Sequence, residues 1–533
     1  MMKYLLAVIL LIFALGACTD RIEVDTLDGE YFEATPEKLS GKNFIRSGSA
    51  KSGHHQIAVT ALVDENGRVI DTSTRPDKFG TKEIRREDPY RARAEIEAKK
   101  WKFEPYTQSG KPIKIKTTIY INVYPPEILP ERHVPFPKVD YGKLEITLER
   151  TGCFGSCPGY IVQVFGDGKV KYKGGYYTLV EGEQTYSIPK KSVMQLVDDF
   201  RKADFWSLKD EYRYQVTDNP TYAITFKTGS HSKTIVDYVG LRSGMPFVVR
   251  ELQDKIDEIT KTERWLRGNS NTIPSLEKAG FDFGSKEGQR AFVAAAEFAP
   301  ENIAISFLDK GVPLNGEWSE FPDCSDCGPN EEVYAHVLSV AVRLGRLELF
   351  KRIEKDSFLN QLTQEQKNRL LMGAAKSNSL YMVSQLVEIG ADLKQDRSSP
   401  LIAALDNDFS PLSPDADKLG LVKFLLAAGV DLAAKDYIDY TALQHAHDEN
   451  PKIVKWLLDA GADVNAGSID ELNAIENTSS SLLYITDDED IAMMAIKAGA
   501  DTTLKADQNR TLKELARRKS WNRVLNYIAR KPE

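Results

Sequence analysis

The side chains with chemistry to offer are few, and the cysteines come first. Four of the five fall in two close pairs, Cys153 with Cys157 and Cys324 with Cys327. Gly155-Ser156-Cys157-Pro158-Gly159 has the outline of a nucleophile elbow with cysteine at its centre. Such an elbow uses the N–H after the nucleophile in its oxyanion hole and runs on into a helix. Pro158 has no N–H, and Ile161 to Phe165 reads as a strand. A Cys153–Cys157 disulfide across a tight Gly-Pro loop meets no such conflict. Cys324-Ser325-Asp326-Cys327 has the spacing of a redox pair, of half a zinc site, or of a local disulfide. The flanking Asp323 and Asp326 disfavour a reactive thiolate, and no second ligand pair is close in sequence. Disulfides are therefore the expected state of Cys153, Cys157, Cys324 and Cys327. His445 and His447 lie two apart, so a helix turns them to different faces. No phosphate-cradling loop, zincin pair or serine elbow occurs. The reading is a non-enzyme with no catalytic residue, no cofactor and no metal site.

These residues need elements to position them, and 533 residues are too many for one core; three or four folded units are expected. Lys plus Arg number 70 against 78 Asp plus Glu, a balance that offers no whole-protein field for nucleic acid. Proteins or small molecules are the expected partners.

The chain opens with Lys3, an apolar run from Tyr4 to Leu15, then Gly16-Ala17-Cys18. The run is too short to span a bilayer and has the charge, apolar core and small-residue exit of a secretory signal. Leu15-Gly16-Ala17-Cys18 resembles the lipobox of bacterial lipoproteins. That resemblance implies removal of residues 1–17, acylation of Cys18 and membrane anchoring, with Thr19 after the cysteine favouring the outer membrane over the inner one. Export places the four remaining cysteines in an oxidising space, which agrees with two local disulfides. Residues 18–38 are polar and acidic without period and read as a tether.

From His55 to Val123 the pattern is strand-like. Ile57, Val59 and Ala61 alternate with Ala58, Thr60 and Leu62, and Asn66-Gly67 supplies a hairpin turn. A helix over Arg91 to Lys100 follows, then a strand with Ile113, Ile115, Thr117, Ile119 and Ile121 on one face. With the stretch Trp101-Lys102-Phe103-Glu104-Pro105 and the turn at Gly110, residues 39–127 resemble the C-terminal domain of TonB. That resemblance implies a small α+β module with a sheet edge able to pair with a peptide. Five prolines between Pro125 and Pro137 mark residues 128–139 as a linker.

Residues 140–268 form the next α+β unit, with strands around Gly166-Asp167-Gly168 and two amphipathic helices. The first carries Val193, Leu196, Val197 and Phe200; the second, entered by Pro246, carries Val248, Leu252, Ile256 and Ile259. Its Cys-Phe-Gly-x-Cys-Pro-x-Tyr signature resembles an uncharacterised bacterial domain family, which adds a boundary and no activity.

Over residues 269–533 a unit recurs, with glycines at Gly280, Gly311, Gly390, Gly429, Gly461 and Gly499. Each ends a helix in a left-handed conformation. A further unit without the glycine turn, Val337 to Lys355, lies in the longest gap. The period, with Thr441, Leu443 and Ala446 in the helix-opening pattern, resembles the ankyrin repeat. Ala442 and Gln444 replace that pattern's Pro and His, which predicts a weaker helix start. The expected architecture is multidomain: two small α+β domains followed by an all-α ankyrin-type repeat solenoid. The resemblance implies a protein partner held by turn tips and first helices, here Lys435, Asp436, Tyr437, Asp439 and Tyr440. The function expected is that of a lipid-anchored envelope protein, periplasm-facing or at the cell surface, that binds a protein partner as scaffold or regulator. The alternative is a thiol-disulfide or metal-handling protein acting through its cysteine pairs.

Overall fold

The computed structural model describes residues 23–25, 31–33, 44–46, 55–74, 89–103, 105, 107–108, 111–112, 114–318, 331–394, 399–406, 412–437, 440–467, 481–506 and 510–530. The chain divides into two compact units, Met1–Arg267, rich in β structure, and Gly268–Glu533, which is helical.

The first sheet of the N-terminal unit has six strands: β1 (Glu23–Asp25), β2 (Tyr31–Glu33), β3 (Phe44–Arg46), β4 (His55–Val63), β5 (Val69–Thr74) and β6 (Ile115–Tyr124). β6 pairs antiparallel with β4 on one side; on the other it pairs with β1 near Thr117 and, in parallel, with β3 near Val123. Alternation puts Ile57, Val59, Ala61 and Val63 of β4, and Ile115, Ile119, Ile121 and Val123 of β6, into one core with Ala94 and Ala98 of helix α1 (Pro89–Ala98). Trp101 and Phe103 close that core. Ile113 lies outside the described residues. At the β4–β5 turn Gly67 has φ +78°, and a Cβ there would lie 1.8 Å from the Phe103 carbonyl oxygen. Phe103 N–H in turn donates to the Gly67 carbonyl at 2.7 Å, so the Asn-Gly turn and the Trp-x-Phe segment require each other.

Two segments make more contacts than their composition suggests. The tether over residues 18–38 supplies β1 and β2, which pair with each other and extend the sheet from β6. Glu23-Val24-Asp25 and Tyr31-Phe32-Glu33 flank Asp28-Gly29, a hairpin signal, and the edge of β6 offers backbone partners to β1, which in turn pairs with β2. The proline-rich linker over 128–139 carries no regular element but is strapped down. Ile128 N–H donates to Gly244 O, Val134 N–H to Ser207 Oγ, and Asp140 N–H to Thr228 Oγ1. Phe136 packs edge-on to Phe226 at 5.3 Å under the Arg201 guanidinium. Proline stiffens such a segment, and its few N–H groups bond to the neighbouring domain.

The second sheet has seven strands in the order β10-β9-β8-β7-β12-β13-β11. They are β7 (Glu145–Arg150), β8 (Tyr160–Phe165), β9 (Lys169–Gly174), β10 (Gly182–Ser187), β11 (Glu211–Arg213), β12 (Tyr222–Thr228) and β13 (His231–Tyr238). β11 pairs in parallel with β13 and the other pairs are antiparallel. Helix α2 (Lys190–Lys202) buries Val193, Leu196, Val197 and Phe200, the last 5.1 Å from the Phe226 ring. Helix α3 (Phe247–Thr260) buries Val249 where the periodicity indicated Val248, and it buries Gln253 and Thr260 besides Leu252 and Ile256. The buried polar groups explain the shift. Gln253 Nε2 donates to the buried Asp237 at 2.9 Å and Thr260 Oγ1 donates to Ile256 O at 2.6 Å.

The C-terminal unit is a run of helix pairs. After α4 (Thr272–Lys278) come α5 and α6 (Lys286–Phe298, Glu301–Asp309), α7 and α8 (Val333–Arg343, Leu347–Glu354), and α9 and α10 (Gln364–Lys376, Leu380–Glu388). Then follow α11 and α12 (Pro400–Leu405, Lys418–Ala427), α13 and α14 (Ala442–His445, Pro451–Asp459), α15 and α16 (Leu482–Ile485, Glu489–Lys497), and α17 and α18 (Leu512–Arg518, Asn522–Arg530). First helices pack on one another from α5 to α15, and second helices do so from α10 to α18. The six repeat glycines all have φ between +71° and +95°, with open space where a Cβ would stand. In the pair α7–α8 the left-handed role after the second helix falls to Ser357, at φ +61°. Side chains fix neighbouring repeats. Glu301 of α6 accepts from Leu349 N–H in α8 at 2.8 Å, and Glu489 of α16 accepts from Arg523 N–H in α18 at 2.6 Å.

Two stability predictions follow from these contacts. Gly461→Ala, strained but unobstructed, should cost about 1 kcal/mol in urea unfolding, whereas Gly67→Ala should cost several-fold more because backbone must move; equal effects would contradict this. Burial works against the Glu489 carboxylate, but the Arg523 side chain and the N–H groups of Arg523 and Val524 hold its pKa below the usual range. A depressed folded pKa contributes stability above the unfolded value and loses it as pH falls through the folded one. Glu489→Gln should therefore cost about 1 kcal/mol or less at neutral pH and nothing once Glu489 is protonated. A pH-independent difference in unfolding midpoint would count against it.

Candidate functional site

Among the described residues, the segment before α13 holds the most exposed of the sequence-selected side chains, and hydrogen bonds tie its two sides together. Asp431 accepts from Ala433 N–H at 2.9 Å. Lys435 then bridges to Thr441 as an antiparallel pair, and Asp436 N–H donates to Tyr440 O at 2.9 Å. Asp436 uses both carboxylate oxygens: Oδ1 accepts from Tyr440 N–H at 2.9 Å and Oδ2 lies 2.7 Å from His445 Nε2. The Tyr440 ring meets His445 edge-on, with centroids 6.1 Å apart. Asp436 and Tyr440, expected to face a partner, are thus engaged in framing the finger. Lys435 is exposed, and Tyr437 is 87 % exposed at its tip. Asp439 lies outside the described residues.

The helix start behind this finger is not weakened as the sequence pattern suggested. Gln444 is buried, and its Oε1 accepts from Thr441 N–H at 2.8 Å in a capping box. Gln444 itself satisfies the Thr441 N–H, so the helix start keeps a capping bond.

The Cys153 and Cys157 sulfurs are joined in a disulfide that closes the loop between β7 and β8. Cys157 is buried, Cys153 half-buried, and Phe154 between them is 73 % exposed. Arg267 donates to Ser156 O at 3.3 Å, and Gly159 N–H donates to Tyr176 O at 3.1 Å. Cys18, Cys324 and Cys327 lie outside the described residues. Among those described, no group of three or more His, Cys, Asp or Glu is arranged to hold a metal ion.

Beside the loop stands a cluster that the sequence reading did not single out. Arg150, the last residue of β7, is in register with Tyr160 of β8 on one side and Tyr222 of β12 on the other. Its guanidinium lies 5.7 Å and 4.8 Å from the two ring centroids. Asp257 of α3 meets it at 2.6 Å and accepts from the Tyr160 hydroxyl at 2.8 Å, while Asp254, one turn away, stands 3.6 Å off. Burial raises the Asp257 pKa against the pull of Arg150, and burial with the Asp257 charge pushes the Tyr160 phenol far up. Burial opposes the charge on Arg150, but Tyr160 and Asp257 keep it protonated. The ion pair and the hydrogen bond together make a latch between α3 and the sheet. Arg150 and Tyr160 flank the cysteine loop, but Asp257 is 97 residues beyond Tyr160, so spacing gave no signal for it.

Residues 144–260 match the family model for a domain of unknown function (DUF6438), and residues 371–468 match the model for ankyrin repeats (3 copies). The first match contains the disulfide loop and the whole Arg150 cluster; the second contains the Tyr437 finger. No curated protein matches the chain.

Arg150→Met, which strands a buried carboxylate, should destabilise by about 3 kcal/mol in urea unfolding. Tyr160→Phe, removing one hydrogen bond, should cost about 1 kcal/mol. Equal small losses would show that the cluster does not latch α3.

Proposed function

We propose that this chain is a lipid-anchored envelope protein that binds a protein partner through its ankyrin repeats, as a non-catalytic scaffold or regulator. The ankyrin repeats themselves point to protein–protein interaction. The observation that carries the reading furthest is the finger at Lys435–Tyr440: Tyr437 stands in solvent on a backbone already held by Asp436, Tyr440 and His445. Tyrosine is a frequent anchor at protein interfaces, and the backbone bonds beside Tyr437 reduce the main-chain freedom that docking would cost. Support for the anchor is the Leu15-Gly16-Ala17-Cys18 sequence behind a secretory-type leader, with Thr19 favouring the outer membrane. The order of β4, β5, α1 and β6, with Trp101 and Phe103 in the core, supports reading the first sheet as a TonB C-terminal-like module.

Two measurements test the two halves. Labelled palmitate should enter the wild-type chain and not Cys18→Ser, which should leave the membrane fraction in a high-salt wash that the wild type survives; equal labelling would remove the anchor. In affinity capture from envelopes, a partner retained by the wild type should be held at least about tenfold less by Lys435→Ala/Tyr437→Ala. Undiminished retention would rule the finger out. No specific partner, together with turnover of the cysteine pairs by small thiols, would move the reading to thiol–disulfide chemistry.

A further inference from the structure

The last helix pair carries a charge separation that partner binding by the finger does not use. Residues 505–530 hold eight Lys and Arg against two Asp and Glu, in a chain whose net charge is −8. The six of these cations that lie on the two helices and the turn between them divide into two sets. Lys519 pairs with Asp487 at 3.0 Å, and Arg523 with Glu489 at 3.0 Å and Asp490 at 2.5 Å. They bind the terminal pair to the repeat before it. Lys513, Arg517, Arg518 and Arg530 are exposed and make no ion pair among the described residues. The one acidic residue on α17, Glu514, is folded back on the helix start, accepting from Thr511 N–H and Oγ1 at 2.8 and 2.9 Å. Among the described residues, Glu514 is the one acidic group on α17 and acts on Arg517, so four exposed cations of this helix pair stand against a single carboxylate.

We infer that Lys513, Arg517, Arg518 and Arg530 form a docking patch for an anionic lipid surface. The patch lacks what a protein interface core supplies. Trp521 is buried and Tyr527 half-buried, so no exposed aromatic anchor accompanies the charges. Long cationic side chains without a shaped pocket suit a fluid array of anionic headgroups, where each cation adds its own attraction. Its place in the cell rests on the Cys18 anchor; its chemistry does not. With an acylated N-terminus the patch would give the same molecule a second, salt-sensitive membrane contact.

The test uses the full chain with Cys18→Ser, so that acylation plays no part, and co-sedimentation with phosphatidylcholine vesicles made with and without phosphatidylglycerol. The chain should bind only the anionic vesicles, release as salt rises, and bind about a hundredfold more weakly as Lys513→Gln/Arg517→Gln/Arg518→Gln. Circular dichroism melting of that variant checks that it is folded. No binding to anionic vesicles, equal binding to neutral ones, or full binding by the folded variant overturns the patch. Each of these outcomes is independent of whether palmitate reaches Cys18 in the wild type.

Discussion

After each complete second helix of the repeat unit, one residue turns the chain at positive φ, and the neighbouring repeats then catch one another by hydrogen bonds. Gly429 makes that turn after α12, and Asp431 two residues on fixes the next bend by accepting from Ala433 N–H. The same pairing recurs at Gly390 with Asp392, Gly461 with Asp463 and Gly499 with Asp501. Asn465 accepts from Asp501 N–H at 2.8 Å, tying one turn to the next. Everything the unit presents to solvent, the Tyr437 finger included, hangs from these turns. No single helix pair could bury its own apolar face, so the turn that sets the stacking also determines the core.

The N-terminal unit reaches a fixed surface by another route. In the second sheet three strands in register put Tyr160, Arg150 and Tyr222 side by side, and α3 lowers Asp257 onto them. Arg150 keeps its charge because the carboxylate and both rings lie on it, and Asp257 tolerates burial because Arg150 and Tyr160 are there. The cysteine loop leaves the sheet between two members of this latch, and its disulfide adds a local closure to ends already fixed.

Local patterns were readable and long-range ones were not. Asn66-Gly67, the alternation in β4 and the repeat glycines each act within a few residues, and each marks a real turn or strand. β1 and β2 carried no pattern because strands of three residues are too short to show a period, and their place comes from pairing of β1 with the distant β6 and of β2 with β1. The proline strap read as a spacer because its bonds run to Ser207, Thr228 and Gly244, far along the chain. Of the finger residues, the repeat resemblance gave the location; only the structure separates Lys435 and Tyr437, which project, from Asp436 and Tyr440, which brace. Asp257 needed α3 folded over the sheet before it could be seen beside Arg150.

The account stands on a finger whose two sides are joined at Asp436 and Tyr440 before any partner arrives. Amide hydrogen exchange on the full chain, wild type against Asp436→Ala, tests this most directly. Slow exchange at the Asp436 and Tyr440 amides in the wild type, fast exchange there in the variant and unchanged protection in the neighbouring helices is the predicted result. Wild-type amides at Asp436 and Tyr440 that already exchange as fast as an open chain would contradict it.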